Sequence, residues 1–310
     1  MAEGDRPSPA DWLGGKVSSQ VGRVFIVTGA NSGLGLETAR ALGALGGSVI
    51  VAARDTAKGE AAVEALRAEQ PDGRFDLRHL DLADLDSVRE FAAGVEHVDV
   101  LVNNAGVMMP PRTLTEQGYE LQFGVNHLAH FALTVLLFNK LLQSEDPRVV
   151  TVSSGLHKRG RIHFEDLHGE HGYHRTKYYS QSKLANVVFA LELHRRLRTG
   201  GFPLRSVLAH PGYAATNLQS TGPTGVGKLI MKVTNRVMAQ DVAMGALPQI
   251  YAAVGPDVES GQFWGPDGRN ESKGFPTLVE PLDEARDREL GKRLWDISEE
   301  LTGVHIDLAP

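Results

Sequence analysis

Two adjacent tyrosines precede a lysine in TKYYSQSKLAN, which spans residues 176–186. Tyr179 lies four residues before Lys183. On a helix these two side chains share a face, whereas Tyr178 points elsewhere. A phenol titrates near pH 10, and an ammonium ~4 Å away at an effective dielectric of ~20 supplies about 4 kcal/mol, enough to lower that pKa by ~3 units. The spacing predicts that Tyr179 is a general acid or base activated by Lys183.

A helix carrying this pair is predicted by the apolar residues that follow it. They recur at the spacing of one buried stripe, and no Pro or Gly follows before Gly200. The Tyr–Lys spacing alone is weak evidence, because six Tyr and ten Lys in 310 residues give roughly a one in five chance of it. The assignment therefore depends on support from other segments.

Short β-branched runs alternate with helical stretches from residue 23 onwards. Such alternation predicts an α/β fold with one Rossmann-type, doubly wound parallel sheet of about seven strands and helices on both faces. Residues 1–20 read as a polar lead-in, and residues 21–310 as a single domain, since no linker divides them. The predicted strands are 23–28, 48–53, 75–80, 98–103, 148–153, 205–210 and, more weakly, 261–265.

A glycine-rich turn, TGANSGLG, follows the first predicted strand and precedes a helical segment. Glycine lets the backbone approach a phosphate closely, and the free N–H groups at a helix start attract negative charge. Glycines of an ordinary tight turn are the alternative. The location after the first strand of an alternating sheet favours a nucleotide site.

Polar or glycine residues also follow the later predicted strands. Ligands of such sheets lie beyond the carboxyl ends of the strands, so these residues are candidates for one common site. The residue preferences of loops explain a polar or glycine segment after any one strand, but they do not easily explain such segments after five successive strands. They are Arg54 with Asp55, Asp81, NNAG at 103–106, Ser153 with Ser154, and HPG at 210–212.

Jointly, TGANSGLG, NNAG, Ser154, YYSQSK and HPGYAAT resemble the classical short-chain dehydrogenase/reductase family over roughly residues 20–270. The segments SSGLHKRGRIHFEDLHGE and SKLANVVFALEL look like its retinol dehydrogenase branch, and the absence of an anchor sequence points to soluble bacterial members. The resemblance implies an NAD(P)-dependent oxidoreductase that interconverts a carbonyl and an alcohol. A non-catalytic dinucleotide sensor or scaffold of the same fold is the alternative.

The resemblance assigns catalytic roles to four residues. Tyr179 exchanges the proton, and Lys183 lowers its pKa and binds the nicotinamide ribose. Ser154 polarises the substrate oxygen, while Ser153 points to the opposite face of the strand end; closing a turn is the alternative for either serine. Asn126 holds the water network of the lysine. A hydroxyl and a phenol suit this reaction because a carbonyl oxygen gains negative charge as it receives hydride.

The resemblance also implies the residues that contact the cofactor, which lie at the strand ends described above. Tyr179 and Lys183 belong to this set as well as to the catalytic one. The others are Gly29, Asn31, Ser32, Gly33, Leu34, Gly35, Arg54, Asp81, Leu82, Asn103, Ala105, Gly106, Pro211, Gly212 and Thr216.

The end of the second predicted strand bears on the choice of dinucleotide. NAD-specific relatives place an acid where this chain has Ala53, followed by Arg54. A guanidinium matches the 2′-phosphate of NADP, which predicts NADP(H) over NAD(H). Asp55 is the competing observation, because a shift of two residues would make it a ribose ligand.

The substrate is expected to be a hydrophobic aldehyde, ketone or alcohol. Apolar residues in the stretch 217–240 are suited to cover such a molecule, which predicts a substrate lid over about 213–240. An ordinary packed helix is the alternative.

Composition excludes several other classes. A net charge of −6 argues against a nucleic-acid partner, and the lack of cysteine excludes disulfides and thiolate metal sites. The longest apolar run, around FALTVLLF, is shorter than the ~20 residues that span a bilayer, so we expect a cytoplasmic protein without a membrane anchor. Five histidines between residues 157 and 174 lack metal-ligand spacing, which predicts an exposed loop and no metal. Whether the chain is a monomer or a dimer stays open.

Overall fold

The computed structural model describes residues 7–212 and 241–308. Within them, eight strands form one sheet in the order β3-β2-β1-β4-β5-β6-β7-β8. Neighbouring strands are parallel, except that β7 and β8 are antiparallel. The strands are β1 (Val24–Thr28), β2 (Ser48–Ala53), β3 (Arg74–His79), β4 (Val100–Asn103), β5 (Arg148–Val152), β6 (Arg205–Ala209), β7 (Phe263–Pro266) and β8 (Pro276–Leu278).

Helices cover both faces of the sheet, as the alternating pattern predicts. Helices α1, α2, α3 and α7 contribute to the core on one face, and α4, α5, α6 and α8 to the cores on the other. They are α1 (Pro9–Gly14), α2 (Gly33–Ala44), α3 (Thr56–Glu69), α4 (Leu85–Gly94), α5 (Leu121–Leu141), α6 (Arg175–Thr199), α7 (Val242–Val254) and α8 (Arg288–Thr302).

The central strands are buried on both sides because their side chains alternate between two apolar layers. On β1, Ile26 joins the core on one face, while Phe25 and Val27 join the core on the other. This arrangement explains the continuous apolar runs of the sequence, which are typical of a parallel sheet. The strand order reverses between β1 and β4, and this switch point opens a crevice at the carboxyl ends of the strands.

All seven strands predicted from the sequence are confirmed to within about two residues, but β8 was missed. It contains only Pro276, Thr277 and Leu278, too few residues for an alternating pattern to be recognised. It pairs with β7 and is itself the edge strand of the sheet, where its short length limits unwanted strand pairing.

The apolar run FALTVLLF is part of the longer apolar helix α5, so the length of this apolar segment was underestimated from the sequence. The helix is 21 residues long and contains an 18-residue window with a mean hydropathy of 1.4, enough to cross a membrane by length and composition, but 83% of that window is buried inside the fold. It is therefore a core helix. It contains one π-helical turn, Gly124–Leu128, which widens the helix next to the site.

The C-terminal helix α8 packs against α6 and α5 through its aromatic face. Trp295 is fully buried, with its ring centre 5.0 Å from that of Phe131 on α5 and 6.0 Å from that of Phe189 on α6. The guanidinium of Arg196 covers the same indole at 4.3 Å. The C-terminal segment is thus an integral part of the core beneath α6.

Candidate active site

The two tyrosines at the start of α6 point to different surroundings, as their spacing predicts. The Tyr178 hydroxyl donates to Asp166, 2.9 Å from its backbone carbonyl oxygen and 3.0 Å from its carboxylate. Tyr179 instead lines a cavity of about 330 Å³ together with Lys183. Tyr178 is therefore a structural residue, and Tyr179 is the one available for chemistry.

The two serines at the end of β5 also have different surroundings. The Ser153 hydroxyl donates to the backbone carbonyl of Lys183 at 2.8 Å, which ties the strand to α6. Ser154 caps the 3-10 helix Gly155–Arg159, and its hydroxyl also forms a hydrogen bond with the Tyr179 side chain. Ser154 thus combines the turn-closing role with a position beside Tyr179.

The acidity of Tyr179 differs from the sequence-based expectation. Burial raises its pKa to about 12, and the hydrogen bond from Ser154 opposes that rise. Lys183 does not make the phenol acidic here, because its ammonium lies 6.0 Å from the Tyr179 ring centre and donates to the carbonyl of Val152 at 3.1 Å. Burial also lowers the pKa of Lys183 to about 8. Desolvation exceeds the attraction between the two groups in this structure.

Asn126 lies in the π-helical turn of α5 and is fully buried. Its side chain accepts from the backbone N–H of Val107 at 2.7 Å and donates to the carbonyl of the same residue at 3.0 Å. It also donates to the Ser182 hydroxyl at 2.9 Å. Asn126 therefore fixes the loop after β4 against α6, beside Lys183.

The glycine-rich turn closes tightly between β1 and α2. Gly29 and Gly33 have φ values of 66° and 55°, which favour glycine. A Cβ on Gly35 would lie 2.4 Å from the carbonyl oxygen of Gly29 and 2.6 Å from the side chain of Asn104. Ser32 is the N-cap of α2, but its side chain makes no capping hydrogen bond to the described residues. The first-turn N–H groups of α2 therefore suit an anionic ligand.

The loop after β4 corrects one predicted contact. The Asn103 side chain is buried and donates to Thr134 on α5, so it does not face the cavity. The cavity residue is the neighbouring Asn104, whose side chain donates to the carbonyl of Thr28 at 2.8 Å. Successive side chains of a strand point to opposite faces, so the two asparagines must point in different directions, but this rule does not say which of them faces the ligand. Gly106 lines the cavity as predicted.

The residues that follow β2 and β3 were predicted to contact the cofactor, but they are not among the residues that line the cavity. Arg54 is exposed, whereas Asp55 is the N-cap of α3 and accepts from the backbone N–H of Lys58 at 3.1 Å and from its ammonium at 2.6 Å. Asp81 accepts from the backbone N–H of Ala83 at 2.9 Å. Asp55 is thus engaged in capping a helix.

Three cavity residues come from the C-terminal part of the chain and were missed from the sequence. Asn270, Glu271 and Ser272 line the cavity opposite Leu34, together with Pro211 and Gly212. A short 3-10 turn between β7 and β8 carries Asn270 and Glu271, and Ser272 follows it. The sequence Asn-Glu-Ser matches only a glycosylation sequon, which does not indicate a cavity. The predicted Thr216 and the predicted lid over 213–240 lie outside the described residues.

The histidine-rich insertion is more ordered than the sequence suggests. His157 is completely buried: its Nδ1 donates to the carbonyl of Ser154 at 2.7 Å, and its Nε2 accepts from the backbone N–H of Leu282. His168 stacks on Tyr119 with ring centres 5.4 Å apart. The expectation of an exposed loop is therefore wrong for these two histidines. Among residues 7–212 and 241–308, no group of three or more acidic or histidine side chains could hold a metal ion.

Comparison with known proteins agrees with this geometry. The family model for short chain dehydrogenases matches residues 23–225. Human retinol dehydrogenase 13 is 42% identical over 91% of this chain and 85% of its own length. Mouse polyprenol dehydrogenase is 42% identical over 92% and 85%, respectively. An uncharacterized protein from Mycobacterium paratuberculosis has a solved structure with 43% identity and a TM-score of 0.79, covering 94% of this chain and 97% of that one.

Proposed function

The chain belongs to the short-chain dehydrogenase family, and on that premise we propose that it is an NADP(H)-dependent oxidoreductase of hydrophobic carbonyls and alcohols. Its membership makes it an enzyme that acts on CH–OH or C=O groups with NAD(P). The observation that carries the finer proposal is that Tyr179, Ser154 and Lys183 meet in one cavity that also borders the glycine-rich turn. Cytoplasmic location stays part of the proposal.

Residues around the cavity fit a nicotinamide dinucleotide. The missing side chain at Gly35 lets the start of α2 pack against Gly29 and Asn104, and the N–H groups of its first turn are donors for a pyrophosphate. Lys183 and Asn104 line the same cavity and supply further polar groups. A bound dinucleotide would supply or accept the hydride, which protein side chains cannot do.

In the reducing direction, Tyr179 would donate a proton to the substrate oxygen. A phenol with a pKa of about 12 keeps its proton at neutral pH, and an alkoxide is a stronger base than a phenolate. The Ser154 hydroxyl would stabilise the same oxygen as it gains negative charge. In the oxidising direction Tyr179 must first lose its proton, so oxidation should accelerate as the pH rises.

The preference for NADP(H) is supported by the end of β2. Asp55 is occupied as the cap of α3, which makes it a poor ligand for ribose hydroxyls. Arg54 is exposed beside it, whereas the Lys58 ammonium is paired with Asp55. The guanidinium of Arg54 is therefore the cation that suits the 2′-phosphate of NADP.

A hydrophobic substrate is supported by the cavity lining and by the relatives. Leu34, Met108, Val152 and Leu156 give the cavity an apolar wall. Two relatives are named for retinol and polyprenol, which are apolar alcohols. We therefore propose an apolar aldehyde or ketone and its alcohol as the substrate pair.

The decisive experiment compares Tyr179→Phe with Tyr178→Phe, because the two phenols are neighbours with different surroundings. Tyr179→Phe should lower kcat with NADPH and an apolar aldehyde by about 100- to 10,000-fold, the usual contribution of a general acid, while NADPH still binds. Tyr178→Phe should keep turnover. NADPH absorbance gives the rates and fluorescence titration gives the affinity.

Near-normal turnover by Tyr179→Phe would refute the assigned role of Tyr179. Tight NADPH binding without oxidation of NADPH by any member of a broad carbonyl panel would favour the non-catalytic dinucleotide sensor instead.

A further inference from the structure

The turn between β7 and β8 holds two consecutive non-glycine residues in left-handed backbone geometry. Asn270 and Glu271 both have φ near 54°. Asparagine adopts this region fairly often, whereas glutamate rarely does. Backbone strain of this kind persists only where surrounding contacts fix it, and it concentrates at functional sites. The contacts of the Glu271 side chain are therefore informative.

Each carboxylate oxygen of Glu271 contacts a residue close in sequence to a different part of the cavity lining, Gly155 and Leu156 on one side and Pro211 and Gly212 on the other. Oε1 accepts from the Lys158 ammonium at 2.6 Å, on the 3-10 helix that follows Ser154. Oε2 lies 3.1 Å from Nε2 of His210, which is buried beside the HPG turn. One carboxylate thus joins the substrate side of the cavity to the turn that contains Gly212.

Hydrogen bonding fixes the tautomer of His210. Its Nδ1 accepts from the backbone N–H of Gly212 at 3.2 Å, so the proton of the neutral ring is on Nε2 and is donated to Glu271. Gly212 itself lines the cavity, and a Cβ there would lie 2.4 Å from the carbonyl oxygen of Ser272. The Gly212 backbone is therefore linked to the Glu271 carboxylate through the His210 ring.

We propose that Glu271 is a positioning residue that couples the substrate wall carrying Lys158 to the cofactor-side turn at Gly212 through His210. The proposal rests on the function proposed above only for its kinetic consequence. Glu271 does not reach the reacting atoms in this role: it sets where two walls of the cavity lie relative to each other. The strained backbone at Asn270 and Glu271 brings the carboxylate between its two partners.

The first test uses Glu271→Gln, which keeps the side-chain shape but removes the charge. Glu280→Gln is the matched control, because Glu280 forms an ion pair with Arg286 on the surface. Hydrogen exchange measured by mass spectrometry should accelerate in peptides covering 155–160 and 205–212 for Glu271→Gln alone. This readout needs no turnover, so it tests the coupling even if the chain proves inactive on every carbonyl.

The second test is kinetic and separates the two walls. Glu271→Gln should weaken NADPH binding about tenfold, as expected for a lost charge-assisted hydrogen bond, and should also raise the substrate KM. Lys158→Met should raise the substrate KM while leaving the affinity for NADPH unchanged. It also provides a second variant should Glu271→Gln fold poorly.

Unchanged exchange in both segments of Glu271→Gln would overturn the coupling. Faster exchange with unaltered KM and NADPH affinity would overturn the positioning role. Lack of NADPH binding by the wild-type chain would instead refute the proposed function, a result distinct from either of these.

Discussion

The N-terminal half of the sheet, β1 to β4, and the C-terminal segment, residues 241–308, border the same cavity by different means. The first contributes backbone: its glycines let the chain pass where a Cβ on Gly35 would collide with Gly29. The second contributes side chains held by distant partners, as Glu271 is held by Lys158 and His210. Local backbone requirements leave a motif in the sequence, whereas tertiary contacts of this kind do not.

Helix α5 connects these two regions through two buried histidines one turn apart. His130 faces the N-terminal half, where its Nε2 lies 2.9 Å from the Thr28 hydroxyl. His127 faces the C-terminal segment, where its Nε2 lies 2.9 Å from the Ser298 hydroxyl of α8. Stability in acid should therefore report on both regions at once.

The largest expected effect is a loss of stability in acid. Burial lowers the pKa of His127 to about 3 and that of His130 to about 4. Below pH 6.5 the unfolded chain binds protons that the folded chain does not, so the free energy of unfolding decreases as the pH falls towards 4. At about 1.4 kcal/mol per pH unit and histidine, these two histidines alone account for a loss of roughly 5 kcal/mol by pH 4.5, measurable by urea unfolding.

Single substitutions sharpen this prediction. His130→Gln and His127→Gln, which cannot ionise, should each reduce the pH dependence by about a third, because the buried His157, whose pKa burial also lowers to about 4, contributes alongside them. Both substitutions lower stability at pH 7. Hydrogen exchange at pH 5 should then show which region opens first. Equal slopes in wild type and both variants would mean that other groups cause the acid sensitivity.

A loss of NADPH affinity, smaller in free energy than the acid effect, is expected from a substitution in the glycine-rich turn. Gly35→Ala forces the carbonyl of Gly29 and the side chain of Asn104 to move, which should weaken NADPH binding about 100-fold at a cost of about 3 kcal/mol. Gly14→Ala is the control, since no described heavy atom lies within 4 Å of the added Cβ. Fluorescence titration measures both. Equal affinities would show that the dinucleotide does not depend on this close approach.

The smallest effect concerns the choice of dinucleotide. Arg54→Ala should weaken NADPH binding about tenfold, the value of one charge-assisted contact, and leave NADH binding nearly unchanged. Asp55→Ala should mainly cost about 1 kcal/mol of stability, because Asp55 caps α3. If Asp55→Ala weakened NADH binding while Arg54→Ala affected neither dinucleotide, the preference would be reversed.

The sequence was most informative where local geometry imposes a residue type. Alternating apolar runs gave the seven strands up to β7, and the four-residue spacing separated Tyr179 from Tyr178. Asn103 and Asn104 both satisfy the same motif, and only the packing of Asn103 against Thr134 shows which of the two side chains is turned away from the cavity. The turn at Asn270 to Ser272 had no local signal, since its place in the cavity depends on contacts far away in the chain.

The pKa of Tyr179 illustrates a different limit. Spacing along a helix predicts that Lys183 is a neighbour, but it does not give the depth of the pair below the surface. Both side chains are almost completely buried, and the loss of hydration raises one pKa and lowers the other. Burial is a property of the assembled fold, so a Coulomb argument from spacing alone gave the wrong direction.

The π-helical turn at Gly124–Leu128 has a consequence for how this chain can change in evolution. Deleting one of its residues would restore ordinary helical winding and leave the rest of α5 facing nearly the same way, because a π-helical turn holds one residue more than an α-helical turn. His130 and Thr134 would keep their contacts with Thr28 and Asn103, whereas Asn126 inside the turn would leave Val107 and Ser182. A homologous chain that is one residue shorter here should therefore keep the packing of α5 on the sheet but lose the position of Asn126 beside Lys183.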